Sequence, residues 1–524
     1  MVGMLNRLAG VAVVLFLVGC GPAEKRADLV FLNGAEPETL DPAIITGQPD
    51  GRVVNSLFEG LTTYDAAGKP GPGMAESWTI SPDARKYVFK IRPEAKWSDG
   101  RKVVAKDFVD SWRRTLTPET TASYNYQLFP VKNAQAFSEG KVDFSQVGVK
   151  ATDDGTLEVE LENPTPYFLS LAATPPLQPV RLDIIEKYGD DWIKPGKIVN
   201  NGAYLVEDWR INDRIRLRKN PYYWNAKKVA LETIEVLPIE KDTVAFNFYA
   251  SGLADLSMDK GLMPPALLDD IKTREDFHAA PFLGIYFLRF NCSKAPFDDL
   301  RVRKAFSLAI DKKRIVEKIT RAGELPATAF VPPGLPGYVS PEALAYNPEE
   351  ARRLLAEAGF PDGEKFPLVT YLYDAKGSSE AIAVELQDMW RKELGVEVNL
   401  AKQEWKVYLN SMNDLDFDIC RSSWVGDYPD PNTFLDMFVT NGGNNRTGYS
   451  SPEYDKLIVD ASREADPAKR ALILQAAEKL LIQTDLPLCP LYFYVGIQLY
   501  DAKKIGGIEP NVLDEHPLKA IYRK

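Results

Sequence analysis

Two histidines and four cysteines in 524 residues leave little material for nucleophilic or metal chemistry. His278 and His516 stand alone, without the HExxH or HxH spacing that would direct two ring nitrogens at one metal ion. The chain has no GxSxG elbow, no GxxxxGK[ST] phosphate loop and no GxGxxG after a strand. Two SxxK patterns occur, Ser138 to Lys141 and Ser257 to Lys260, but neither comes with the SDN and KTG segments of an acyl enzyme. No cofactor and no metal is implied, and a binding protein is favoured over an enzyme.

Basic blocks are also missing. The net charge is −11, and phosphate recognition demands clustered Lys and Arg, so nucleic acid is excluded as a partner. Long apolar runs are missing after the N-terminus. The one at the start, Leu8–Gly19, follows Arg7 and is too short for a bilayer span of about 20 residues. A positive residue, a short apolar core and small residues before Cys20 describe a secretory signal in residues 1–19. The ending Leu17–Cys20 resembles a bacterial lipobox, which implies cleavage before Cys20 and a lipid on it. Removing residues 1–19 takes Arg7 away and moves the net charge from −11 to −12. Cys292, Cys420 and Cys489 then remain, far apart and without CxxC spacing. They read equally as buried thiols or as one disulfide with a spare.

What is present is the composition of a globular α/β protein, 45% apolar and 26% charged. Its length suggests about three domains. Tyr87–Ile91, Leu157–Leu161, Ile215–Arg218 and Ile285–Phe290 alternate as half-buried strands do. Ala105, Phe108, Val109, Trp112 and Leu116 share a helical face. Asn347, Pro348 and Glu350 start a helix that should stop at Gly359. Ile382, Leu386, Met389 and Trp390 mark another helix. Ala471, Leu472, Leu474, Ala477 and Leu480–Ile482 mark a third. Lys69–Gly73, Pro332–Gly337 and Pro429–Pro431 are rigid turns rather than linkers, so the domains should pack closely.

The least ordinary stretch is Trp424–Pro431, WVGDYPDP. Two prolines, a glycine and two aromatics stiffen eight residues around Asp427 and Asp430. The carboxylates suit a turn, a hard-metal loop, an acid/base pair or an anchor for a cationic guest. A calcium loop has glycine at its centre and a denser oxygen array.

Longer motifs occur in order along the chain: Asn33–Pro42 (NGAEPETLDP), Leu57–Leu61 (LFEGL), Ala75–Trp78 (AESW), Ala95–Gly100 (AKWSDG) with Asp107 and Phe108 after it, Asn201–Tyr204 (NGAY), Phe297–Arg303 (FDDLRVR) and Gln403–Trp405 (QEW). In these the sequence resembles the oligopeptide-binding proteins of ABC importers, family 5 of the extracytoplasmic solute-binding proteins. The resemblance implies an α/β fold of the two-lobed periplasmic-binding-protein type, class II and cluster C-like, with three domains and a hinge. It places a discontinuous domain I at 21–58, 184–283 and 495–524, domain II at 59–183 and domain III at 284–494. It implies a monomeric receptor outside the cytoplasm, periplasmic or at the cell surface and anchored by the lipid on Cys20. The receptor would hold a short peptide extended between its lobes and deliver it to an ABC permease.

The resemblance also implies site residues. Asp427 falls on the aspartate that pairs with the peptide ammonium, and Trp424, Val425 and Gly426 offer backbone groups to the peptide. Gly47 and Gln48 match the opposing segment, Tyr124 and Trp405 match cleft aromatics, and Arg421 matches a partner for the ligand carboxylate. Asp430, between two prolines, reads as a turn residue. The far end departs from the pattern, with Met412 where the family has a second arginine and Ser379 where it has a histidine. Two alternatives stand beside the peptide receptor. The same scaffold could take a dipeptide, a cell-wall peptide, a metal chelate or an oligosaccharide. The SxxK patterns would instead suit an extracytoplasmic serine hydrolase.

Overall fold

The computed structural model describes residues 25–375 and 378–524. Cys20 and the signal segment therefore lie outside the described residues. The alternating segments form strands. In Lys86–Ile91, Tyr87, Phe89 and Ile91 are buried and Lys86 and Lys90 are exposed, the period of two that a one-sided sheet needs. This strand is central in an antiparallel sheet of Ala75–Ile80, Lys86–Ile91, Thr156–Glu160 and Val149–Asp153. Helix Ala105–Leu116 buries Phe108, Trp112 and Leu116. At its start Asp107 accepts the Val104 amide and the Trp97 indole N–H, both at 3.0 Å.

The larger sheet has eleven strands among the described residues. Ten follow the order Val398–Gln403, Val369–Asp374, Ile419–Val425, Phe277–Phe290, Leu488–Tyr500, Leu256–Ser257, Leu29–Leu32, Thr233–Leu237, Arg214–Lys219, Tyr204–Arg210. Leu325–Pro326 pairs with Leu488–Tyr500 off this path. Two strands are unusually long, Phe277–Phe290 with 14 residues and Leu488–Tyr500 with 13. They run antiparallel, and their register shifts between Pro281 and Ile285.

The hydrophobic residues divide on either side of that shift. One core gathers residues 29–258 with the C-terminal Ile505, Leu518 and Ile521. Two others are built from residues 283–493. Ala322 crosses the division to pack with residues 30–271 and 495–499, and Tyr428 crosses it too. Tyr428 belongs by sequence to the second group but packs into the first core, stacked on Tyr167 at 4.0 Å and 7°.

Helix Pro348–Glu357 is capped by the Asn347 side chain, which accepts the Glu350 amide at 3.1 Å, and Gly359 follows with φ +100°. The third helix begins earlier than its apolar pattern, at Pro467, because Asp466 caps the Ala468 and Lys469 amides. Leu472, read as part of its apolar face, is exposed. The 3.6-residue period turns Arg470, Leu474 and Ala477 inward and leaves position 472 outside.

Candidate functional site

The Trp424–Pro431 loop leaves the end of strand Ile419–Val425, where Gly284 and Ile285 pair with Val425 and Trp424. The Gly426 amide donates to the Leu283 carbonyl at 2.7 Å, inside the register shift of the long strands. Buried Thr433 holds the loop from behind, its hydroxyl accepting the Asp427 amide at 3.1 Å and the Trp424 indole N–H at 3.4 Å. A Cβ at Gly426 would stand 3.1 Å from Phe434 and Thr433, so glycine permits this close approach.

Asp427 is aimed across to the other side. Its Oδ2 accepts the Tyr126 hydroxyl at 3.0 Å, and among the described residues no cation pairs with it. Burial pushes its carboxyl up to about 6, against the Tyr126 hydrogen bond. Asp436 behind it is pushed up to about 7 by burial and then by the charges of Asp427 and Asp430. Tyr124 packs on Tyr126 with ring centroids 5.6 Å apart.

A cavity of about 660 Å³ opens beside Asp427, within the range of ligand sites. Gly47, Gln48, Tyr124, Val425, Gly426 and Asp427 all line it, so residues expected from distant parts of the chain meet there. Gly47 precedes helix Gln48–Leu57 and caps it by backbone alone. Trp424, Trp405 and Arg421 are not part of the wall. Trp424 packs behind the loop in one of the two cores of residues 283–493. Trp405 begins helix Trp405–Asn413 and stacks on Tyr408 at 5.5 Å.

Arg421 lies on the same face of its strand as Ser423 and Val425, which do line the wall, and roughly 13 Å along from Val425 at strand rise. Its guanidinium is engaged. Nε lies 3.3 Å from Asp374 Oδ1, close enough for an ion pair but not aligned as a hydrogen bond, and the group sits 5.0 Å over the Tyr286 ring. Ser379 donates to the same Asp374 oxygen at 3.0 Å. Met412 is buried against Tyr408. The two departures from the family pattern therefore sit in or beside the Arg421–Asp374 cluster.

Part of the wall has no local signature in the sequence. Arg52, Glu59, Asp259, Lys260 and the C-terminal Asp514, Glu515, His516 and Lys519 all face the cavity. Most are paired. Glu59 accepts from Tyr223, Trp224 and Lys519, each at 2.6 Å. His516 Nε2 lies 3.1 Å from Asp514.

Asp430 is more than a turn residue. It accepts the Asn432 amide, as a turn residue would, and also forms a buried two-pronged ion pair with Arg470 at 2.7 and 2.9 Å. The arginine is 40 residues away, beyond the reach of any local pattern. Cys292, Cys420 and Cys489 are all free thiols. In the SxxK segments, Lys141 pairs with Glu139 and Lys260 with Glu324, so neither ammonium is available as a base. Among the described residues no helix is long and apolar enough to cross a membrane, and no group of three or more His, Cys, Asp or Glu could hold a metal ion.

Comparison with known proteins places this geometry. Residues 69–446 match the model of the bacterial extracellular solute-binding proteins, family 5. The chain is 38% identical over 504 residues to the periplasmic oligopeptide-binding protein OppA of Salmonella typhimurium, covering 94% of this chain and 92% of that one. It is 37% identical over 489 residues to the periplasmic murein peptide-binding protein MppA of Escherichia coli, covering 91% and 89%. The crystal structure of a periplasmic oligopeptide-binding protein from Borrelia burgdorferi superposes with a TM-score of 0.82 at 35% identity, over 95% of this chain and 100% of that one.

Proposed function

Because this chain belongs to the bacterial extracellular solute-binding proteins of family 5, we propose that it is a receptor for short peptides, captured in the cavity beside Asp427 and delivered to an ABC permease. Members of the family are binding proteins, and this chain is a binding protein, not an enzyme. The observation that carries the reading is Asp427 itself, a carboxylate at a cavity wall with a tyrosine hydroxyl as its only side-chain partner among the described residues. A peptide ammonium would supply the missing charge through a strong charge-assisted hydrogen bond. Backbone groups of Val425 and Gly426 that are not already used in pairing with Gly284 and Leu283 would bond the peptide main chain, which recognises length and direction while leaving the side chains free. Gly47, Gln48 and Tyr124 close the opposite wall. Trp424 supports the loop. Arg421 and Trp405 stand towards the carboxyl end of the guest.

The division of the hydrophobic cores supports a two-lobe arrangement, with residues 21–58, 184–283 and 495–524 as domain I, 59–183 as domain II and 284–494 as domain III. The two long strands cross between the lobes and form the hinge. The protein acts as a monomer outside the cytoplasm, tethered through a lipid on Cys20.

The test is native mass spectrometry of the purified protein with a tri- to pentapeptide library. Retention of peptides with free amino ends, and much weaker retention of their N-acetylated forms, is the expected result. No retained peptide overturns the function, and equal affinity for both forms overturns the role of Asp427.

A further inference from the structure

The charges on the cavity wall do not balance, and the imbalance has one sign. The three permanent cations each have a carboxylate. Lys519 has Glu59 at 2.6 Å, Lys260 has Glu324, and Arg52 has Asp259 at 3.8 Å. Arg52 is further committed to the Asn33 and Met258 carbonyls, both at 3.2 Å. Further along the strand, Arg421 is held by Asp374. On the acidic side, Glu59, Asp259 and Asp514 have the partners described. Among the described residues Asp427 has only the Tyr126 hydroxyl. The Glu515 side chain has no hydrogen-bond or ion-pair partner among the described residues, although its backbone is well fixed, with the Asn511 side chain accepting its N–H at 3.2 Å and donating to its carbonyl at 2.8 Å. Burial holds the Glu515 carboxyl above the usual range, and Asp514 adds to this while Arg52 and His516 oppose it. An unpaired carboxylate facing a cavity is costly to keep dry. Two such groups in one cavity, with no unpaired permanent cation among the described residues of its wall, leave that wall with an excess of negative charge.

We infer that Glu515 is a specificity residue and that the preferred ligand is a peptide with a second cationic centre, the side chain of lysine, arginine or another diamino acid, seated at Glu515 while its amino end sits at Asp427. This deepens the peptide-receptor reading and rests on it. The same count extends to the far end of the site. At that end Arg421 is shared with Asp374, and Ser379 and Met412 add no positive charge.

The test compares lysine with norleucine, which matches its aliphatic chain without the charge. Six tripeptides are titrated calorimetrically, with lysine or norleucine at each position in turn of an alanine tripeptide. Wild-type protein should favour lysine at one position by roughly tenfold or more. In Glu515→Gln the ratio at that position should fall to about threefold or less, and Glu515→Asp should restore part of it. The ratio is taken within each variant, so a general loss of affinity cancels, and thermal melting verifies folding. Peptide binding without any lysine preference, or a preference that survives Glu515→Gln, overturns the inference and leaves the peptide-receptor reading standing. Binding of none of the six peptides overturns both.

Discussion

Among the described residues Asp427 has one side-chain donor, the Tyr126 hydroxyl, and burial pushes its carboxyl up to about 6. An unfolded aspartate titrates near 3.9, so the folded, ligand-free protein takes up a proton between about pH 4 and 6. From this group the free protein therefore loses stability as the pH rises through that window. A peptide ammonium reverses the preference, because it favours the ionised form. Affinity for free-amino peptides should hold above about pH 6 and fall by up to about tenfold per unit below it, read by calorimetry from pH 5 to 8. Asp436, pushed up to about 7 and coupled to Asp427, broadens the transition, and Asp436→Asn should sharpen it. Asp427→Ala should weaken free-amino peptides by about 2–5 kcal/mol and abolish most of this pH dependence. An unchanged profile in Asp427→Ala would assign the titration to another group.

At the scale of elements, the loop is set by what lies behind it. Asp430 and Arg470 form a buried pair that ties the loop to helix Pro467–Lys479, and Arg470 also lies 5.9 Å from the Tyr167 ring across the interface. Breaking such a pair leaves a charge uncompensated, so Arg470→Ala should destabilise by about 3–5 kcal/mol in urea unfolding and weaken ligand binding as the loop loosens. Replacing both partners by apolar residues of similar size should recover much of the stability. The strands and helices were readable because their signals are local. Phe108, Trp112 and Leu116 recur at helical spacing, and Asn347 with Pro348 and Gly359 brackets a helix by capping chemistry. The Asp430 pair was not readable, because nothing within a few residues of either partner marks the other.

For the whole molecule, the two long strands cross between the cores, with their register broken between Pro281 and Ile285. At that point Leu283 bonds to Val512 and Gly426 instead, both at 2.7 Å, so the crossing, the C-terminal segment and the ligand loop share one junction. Under the proposed two-lobe reading, closure about this junction would bring together the Tyr126–Asp427 bond and the Tyr167–Tyr428 stack, which span the two sides. Saturating peptide should reduce the radius of gyration in small-angle scattering, and an unchanged value would rule out closure on binding.

Sequence alone determined the class of the molecule and singled out a candidate for one end of its site. The scarcity of histidine and cysteine, the ordered motifs and the stiff WVGDYPDP loop are properties of contiguous residues, and they led to Asp427 before any contact was known. Tertiary structure alone decided the charge balance of the cavity. Whether Glu515 is unpaired, whether Arg421 is already neutralised by Asp374, and whether Asp430 is a turn residue or an anchor all depend on neighbours 40 or more residues away. A carboxylate's role follows from which charges surround it, and folding, not sequence order, chooses those neighbours.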